Sequence, residues 1–166
     1  MGQHPSNTDY ITPIKTSDGS PAALAGSVPA GYPAGSPSRG FYTLASGQIY
    51  VFLLGGKDCP VHSAHFEWDA AIILTTLTVE DCNANPTETA DTATHGASWV
   101  DEDPTTAFVG FKGAGTTVTN GVVAVAGGAI GGCMFHIADT GAKRTRITAV
   151  VGGTGGIIRC STFGKQ

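Results

Sequence analysis

The chain has 166 residues, enough for one large domain, and a formal charge of −4 with only 13% charged residues offers no basic surface for nucleic acid. Glycine contributes 24 residues, about twice the usual share, and the helix formers Leu, Glu, Lys and Gln are scarce, which favours an all-β protein with many turns. No run approaches the eighteen apolar residues of a membrane helix, so no membrane partner is expected.

The first ten residues, MGQHPSNTDY, lack the basic and apolar regions of a secretory signal, so the product is expected to stay in the compartment where it is made. Its four cysteines, Cys59, Cys82, Cys133 and Cys160, are then expected to be reduced. Cys133 and Cys160 lie in apolar, strand-like runs and read as small buried hydrophobes.

Residues 1–40 differ from the rest. Six of the nine prolines lie here (Pro5, Pro13, Pro21, Pro29, Pro33, Pro37), interleaved with Gly, Ser and Ala. Such a segment cannot form a regular sheet or helix and alone buries too little to hold one conformation, so it is expected to be an extended arm lying on a partner. Its partner-binding candidates are Pro5, Tyr10, Ile11, Pro13, Ile14, Pro21, Pro29, Tyr32, Pro33, Pro37 and Arg39.

From Phe41 the chain reads as sheet. Gln48 to Leu54 is apolar on both strand faces and ends at Gly55-Gly56. His65 to Glu80, HFEWDAAIILTTLTVE, is the largest apolar block. Phe66 and Trp68 alternate with His65, Glu67 and Asp69, and the block continues through Ile72, Ile73, Leu74, Leu77 and Val79 among threonines. It is expected to supply two strands, or one bent strand, as the central wall of the core. The next eighteen residues, DCNANPTETADTATHGAS, read as a polar loop, either an exposed decoration or a partner-binding loop. Beyond a short strand at Ser98-Trp99-Val100, further strands are expected over residues 106–111, 116–126, 132–138, 145–151 and 157–163, separated by glycine-rich breaks. Short strands at roughly ten-residue spacing predict an all-β fold: a β-sandwich or jelly-roll-like domain over 41–166, preceded by the arm over 1–40.

Chemistry is sparse. Cys59, His62, His65 and Cys82 are zinc-type ligands, but C-x₂-H-x₂-H is not a familiar spacing, and on a strand His62 and His65 point to opposite faces. Asp101, Glu102 and Asp103 lack the spacing and glycine of a calcium loop and read as an acidic turn. Gly152 to Gly156 has no Lys-Ser/Thr and no following helix, so it reads as a hairpin turn and not as a phosphate cradle. Lys143 to Arg146 reads as a solvent or inter-subunit strand face, and His136 as a core or interface histidine. No G-x-S-x-G or other nucleophile setting occurs, so neither enzymatic activity nor a cofactor or metal is expected.

A Pro/Gly-rich arm, then HFEWDAAIILTTLTVED, then a short strand with Trp99, then RTRITAVVGGTGGIIRCSTFGK, resembles the small virion proteins of tailed bacteriophages, especially capsid decoration (cement) proteins. The resemblance spans most of residues 61–165. It implies a homotrimer of β-sandwiches on the outer capsid surface of the virion, assembled in the host bacterial cytoplasm. The implied partner is the major capsid protein, and the implied role is resisting separation of capsomers. The competing reading is a receptor- or glycan-binding module on a head or tail fibre, for which Tyr32, Tyr42 and Trp99 are the available aromatics. A metal-dependent enzyme built on Cys59, His62, His65 and Cys82 is the third.

Overall fold

The computed structural model describes residues 9–55, 61–93, 98–101, 110–113, 115–137 and 141–164. Among them are no helix and fourteen strands: β1 (Asp9–Tyr10), β2 (Ile14–Lys15), β3 (Ala23–Leu24), β4 (Phe41–Leu44), β5 (Ile49–Gly55), β6 (Val61–Trp68), β7 (Leu74–Cys82), β8 (Val100–Asp101), β9 (Gly110–Lys112), β10 (Thr116–Thr119), β11 (Val122–Val125), β12 (Gly131–His136), β13 (Arg144–Val151) and β14 (Gly156–Gly164). They form two antiparallel sheets. Sheet A has the order β3-β4-β14-β6-β12-β9, with β1 added beside β14. Sheet B has the order β10-β11-β7-β13-β5-β2, with β8 added beside β7.

Eight strands make the frame. From the outside inwards β4 pairs with β14, β5 with β13, β6 with β12 and β7 with β11, which is the nesting of one long antiparallel hairpin. Two further pairings, β6 with β14 and β7 with β13, roll that hairpin up on itself. Successive strands from β4 to β7 therefore alternate between the sheets, as do β11 to β14.

Period-2 alternation decides what enters the core. On β6, Ala64, Phe66 and Trp68 point inwards while Ser63, His65 and Glu67 point outwards. Leu74, Leu77 and Val79 of β7 meet them from sheet B. Phe52 lies edge-on to Phe66 at 5.0 Å and Phe66 edge-on to Phe135 at 5.9 Å, so one aromatic stack joins the two sheets. Cys133 and Cys160 flank Phe66 across the ladder, and both are buried free thiols. Burial raises both thiol pKa values.

The apolar block at 65–80 is two strands in opposite sheets, β6 and β7, joined by a corner at 69–73. Asp69 closes that corner: its Oδ1 accepts the backbone N–H groups of Ala71 and Ile72 at 3.2 and 3.0 Å. The Gly152–Gly156 turn wedges against this corner. A Cβ on Gly156 would lie 2.5 Å from Asp69 Oδ1, and one on Gly155 would lie 2.3 Å from the Leu44 carbonyl oxygen. Those glycines serve close packing.

Three expectations change. The Gly152–Gly156 turn, expected as a hairpin turn, joins β13 of sheet B to β14 of sheet A, which do not pair with each other. Residues 116–126, expected as one strand, are the hairpin β10–β11. Asn120 and Gly121, with φ of 49° and 74°, form a two-residue turn that both require to be left-handed. The Pro/Gly-rich region was expected to form no sheet, yet it contributes three two-residue strands. β1 adds to β14, β2 to β5 and β3 to β4. From residue 9 onwards it is stitched first to sheet A, then to sheet B, then to sheet A again. Short pairs between prolines suffice, because β4, β5 and the part of β14 that extends beyond β4 supply the partners.

Candidate functional site

Each outer sheet face carries an Arg–Glu pair beneath an aromatic lid. On sheet B, Arg144, Arg146 and Thr148 of β13 alternate outwards beside Glu80 of β7, its register partner being Arg146. Arg146 Nε donates to Glu80 Oε2 at 2.6 Å, and the Thr148 hydroxyl donates to the same oxygen at 2.5 Å. Arg146 Nη1 donates to the carbonyls of Asp91 and Ala93, both at 2.7 Å. The Trp99 ring lies 4.0 Å from the Arg146 guanidinium and 5.1 Å from that of Arg144. Arg144 in turn donates to Asp91 and to the Thr89 and Ala84 carbonyls. Trp99, Arg146 and Glu80 are buried. Burial pulls the Arg146 pKa down while Glu80 holds it up, so the pair is a desolvated salt bridge.

This overturns one expectation and refines another. Arg146 is no solvent face, and residues 83–93, expected as an exposed decoration or partner-binding loop, are exposed at 83, 85–88 and 90 yet lie across their own sheet and supply carbonyl acceptors to its arginines. The signal was present in the sequence as Arg-x-Arg on a strand together with Trp99, one of two tryptophans, because alternation puts both guanidinium groups on one face where an indole can cover them. Trp99, offered as a glycan-binding aromatic, is therefore buried, and so is Tyr42.

On sheet A, Arg159 of β14 pairs with Glu67 of β6, its Nε and Nη2 reaching Glu67 Oε2 at 2.8 and 2.6 Å. Phe41 and Tyr10 cover the guanidinium at 4.2 and 5.5 Å. Arg159 Nη1 donates to the Pro37 and Arg39 carbonyls at 3.1 and 3.4 Å. The N-terminal region is thus tied to sheet A through its own backbone.

The candidate partner residues separate into two groups. Ile11 and Pro13 face the domain, Ile14 pairs with Val51, and Pro29 is buried. Tyr10 packs on Gly40, whose added Cβ would fall 2.5 Å from the Tyr10 ring. Tyr32 is half-buried, edge-on to Phe41 at 5.3 Å, with its hydroxyl donating to the Trp68 carbonyl at 3.4 Å. Pro21, Pro33, Pro37 and Arg39 are exposed. Pro5 lies outside the described residues.

The rest of sheet A's outer face is partly exposed among the described residues. Ser161, His65 and Met134 form one cross-strand row, and Phe163, Ser63 and His136 the next. Met134 is 41% exposed and Phe163 53%. His136, expected in a core or interface, is exposed on this face, because Cys133, Phe135 and Ile137 take the inward positions. Of the zinc candidates, His65 sits on this face of sheet A, whereas Cys82 sits in sheet B with its sulfur accepting from Arg144 at 3.3 Å. Cys59 and the His62 side chain lie outside the described residues, as do Glu102 and Asp103 of the acidic turn. Among the described residues no group of three His, Cys, Asp or Glu is placed to hold a metal ion. Among them, too, no helix is long and apolar enough to cross a membrane. Comparison of the chain with protein-family models, with curated proteins and with solved structures gives no match.

Proposed function

We propose that the chain is a non-enzymatic virion protein of a tailed bacteriophage that binds the outer capsid surface and stabilises contacts between capsomers. One contrast carries the reading. The charged side chains of both Arg–Glu assemblies are spent on the protein's own loops, while apolar side chains are left facing outwards. Met134 and Phe163 stand on the partly exposed outer face of sheet A, and Leu24, 68% exposed, stands on its edge strand. Exposed apolar groups amid few charges suit a protein–protein interface. The nested pairing of eight strands, first with last and second with second-last, supports reading the frame as a jelly roll, an architecture that recurs in viral capsid domains.

In this reading the exposed parts of the N-terminal region, including Leu24, Pro33, Pro37 and Arg39, reach neighbouring capsid subunits, and many weak contacts on a repeating lattice sum to firm attachment. The region also covers Arg159, so deleting it would damage the domain, and point variants are the cleaner probe. Purified protein mixed with undecorated phage heads should co-sediment and saturate at a fixed ratio to the major capsid protein. Phe163→Asp together with Met134→Asp should reduce that binding at least tenfold, with thermal unfolding unchanged. Wild-type protein that ignores heads but binds on a glycan array would overturn the reading in favour of a fibre module.

A further inference from the structure

Sheet B ends at β10, and among the described residues this edge has no strand beside it. Exposed edges are normally protected by Lys, by Pro, by a bulge or by a covering segment. The other edge strands differ: β9 contains Lys112, β2 contains Lys15, and β3 is only two residues long. β10 is Thr-Thr-Val-Thr. It lies in the longest uncharged run of the chain, Gly113 to Ala138, which also contains β11 and β12.

The hydrogen-bond phase along β10 follows from one bond. Ala126 N–H donates to the Gly115 carbonyl at 2.9 Å, while Thr116 is paired in register with Val125. In an antiparallel ladder this makes Thr116–Val125 and Val118–Val123 the pairs without mutual hydrogen bonds. Thr117 and Thr119 therefore bond to β11, whereas the N–H and C=O groups of Thr116 and Val118 point away from the sheet. Two donors and two acceptors are presented on an uncharged strand.

We propose that this edge pairs with the same edge of a second copy, about a two-fold axis at Thr117. Antiparallel pairing about that axis sets Thr116 opposite Val118 of the second copy and Val118 opposite its Thr116. All four outward groups of each edge are then satisfied, in four backbone hydrogen bonds, and the two B sheets join into one. Thr117 meets itself as a pair without mutual hydrogen bonds. A second copy is the occupant this edge fits because the pattern is self-complementary and both sides are free of charge. The contact is two-fold, unlike the trimer that the resemblance to decoration proteins implies, and it does not depend on capsid binding.

The register makes the test specific. Paired residues of this kind approach to a Cα separation of about 4.5 Å, within disulfide range. Under mild oxidation Thr117→Cys should give a covalent dimer, whereas Thr119→Cys, displaced from the axis, and the wild type should not. By light scattering the wild type should approach twice 16.8 kDa as concentration rises. Thr117→Lys, which sets two ammonium groups face to face, should stay at 16.8 kDa with unchanged thermal unfolding. A wild-type mass of one or three copies, equal cross-linking of the two cysteine variants, or a Thr117→Lys protein that still dimerises would overturn the proposal. Loss of head binding by a monomeric Thr117→Lys protein, with the wild type also monomeric, would give this edge to the capsid instead. Head binding by the wild type is scored separately, so either proposal can fail alone.

Discussion

The two outer faces solve one problem at different depths. On each, a segment too polar or too rich in Pro and Gly to form a core of its own is held to a sheet by a guanidinium that accepts an aromatic lid and donates to the segment's carbonyls. On sheet B the arginine is fully buried, at 0% exposure, with its carbonyl partners at 2.7 Å and the indole at 4.0 Å. On sheet A the arginine is 8% exposed, its carbonyl partners are at 3.1 and 3.4 Å, and its Glu67 side chain is 21% exposed. A cation with five donors can fasten backbone that has no ladder of its own, and burial decides how firmly. Residues 83–93 and Trp99 should therefore behave as part of the domain, and the N-terminal region as a strap that releases first.

The largest effect should come from sheet B. Arg146→Ala leaves the buried Glu80 carboxylate with Thr148 but without its cation, and removes the donor to the Asp91 and Ala93 carbonyls, which should cost about 3–5 kcal/mol in denaturant unfolding. Replacing Arg146 and Glu80 together by Met and Leu should recover much of that loss, because the desolvation cost disappears with the charges. An Arg146→Ala protein as stable as the wild type would mean that the loop and Trp99 hold themselves in place.

Sheet A should show a smaller and more local response. Arg159→Ala removes a partly exposed ion pair and two long hydrogen bonds, for an expected loss of about 1–3 kcal/mol. Its distinguishing mark is release of the strap: limited proteolysis should cut within residues 9–40 while the strand frame stays intact. The corresponding Arg146→Ala protein should instead be cut throughout as it unfolds globally. Identical digestion patterns for the two variants would erase the distinction between domain and strap.

The frame was legible where one periodicity ruled. β5, β6, β7, β13 and β14 announce themselves by alternation or by apolar runs between glycines, and the corner at 69–73 divides the largest block as its polar flank suggests. The turn at Asn120-Gly121 was equally present, since Asn-Gly between β-branched runs is a strong hairpin signal. It was hidden by the surrounding Val and Ala, which read as one continuous strand. The covering segments were not legible for a physical reason. Their binding leans on backbone carbonyls, which every residue has, and the side chains that add to it, Asp91 on Arg144 and Tyr10 and Tyr32 on sheet A, follow no periodic pattern. Only the other half of each contact, Arg144, Arg146 and Arg159 beside Trp99, Phe41 and Tyr10, is visible in sequence. It becomes specific only once the register sets Glu80 and Glu67 across from the arginines.

The mildest probe of the strap is alkaline pH. Tyr32 joins it to sheet A, edge-on to Phe41 and donating to the Trp68 carbonyl. Burial, reinforced by the negative charge of Glu67 and opposed by Arg159, raises its phenol from an ordinary value of 10.0 to about 12. The folded-state pKa lies above the unfolded one, so the strap's docking is complete below pH 10. It weakens as pH rises towards 12, where the undocked chain ionises first. Between those values, strap-directed proteolysis should accelerate in the wild type before the frame loses its circular-dichroism signal. Tyr32→Phe keeps the ring contact with Phe41 but has no proton to lose. It should be cut slightly faster than the wild type at neutral pH, through loss of the long hydrogen bond, and should show a flatter rise across the alkaline window. A wild type and a Tyr32→Phe protein with parallel profiles between pH 10 and 12 would place the alkaline weak point away from the strap, and with it the claim that the sheet A face is the looser of the two.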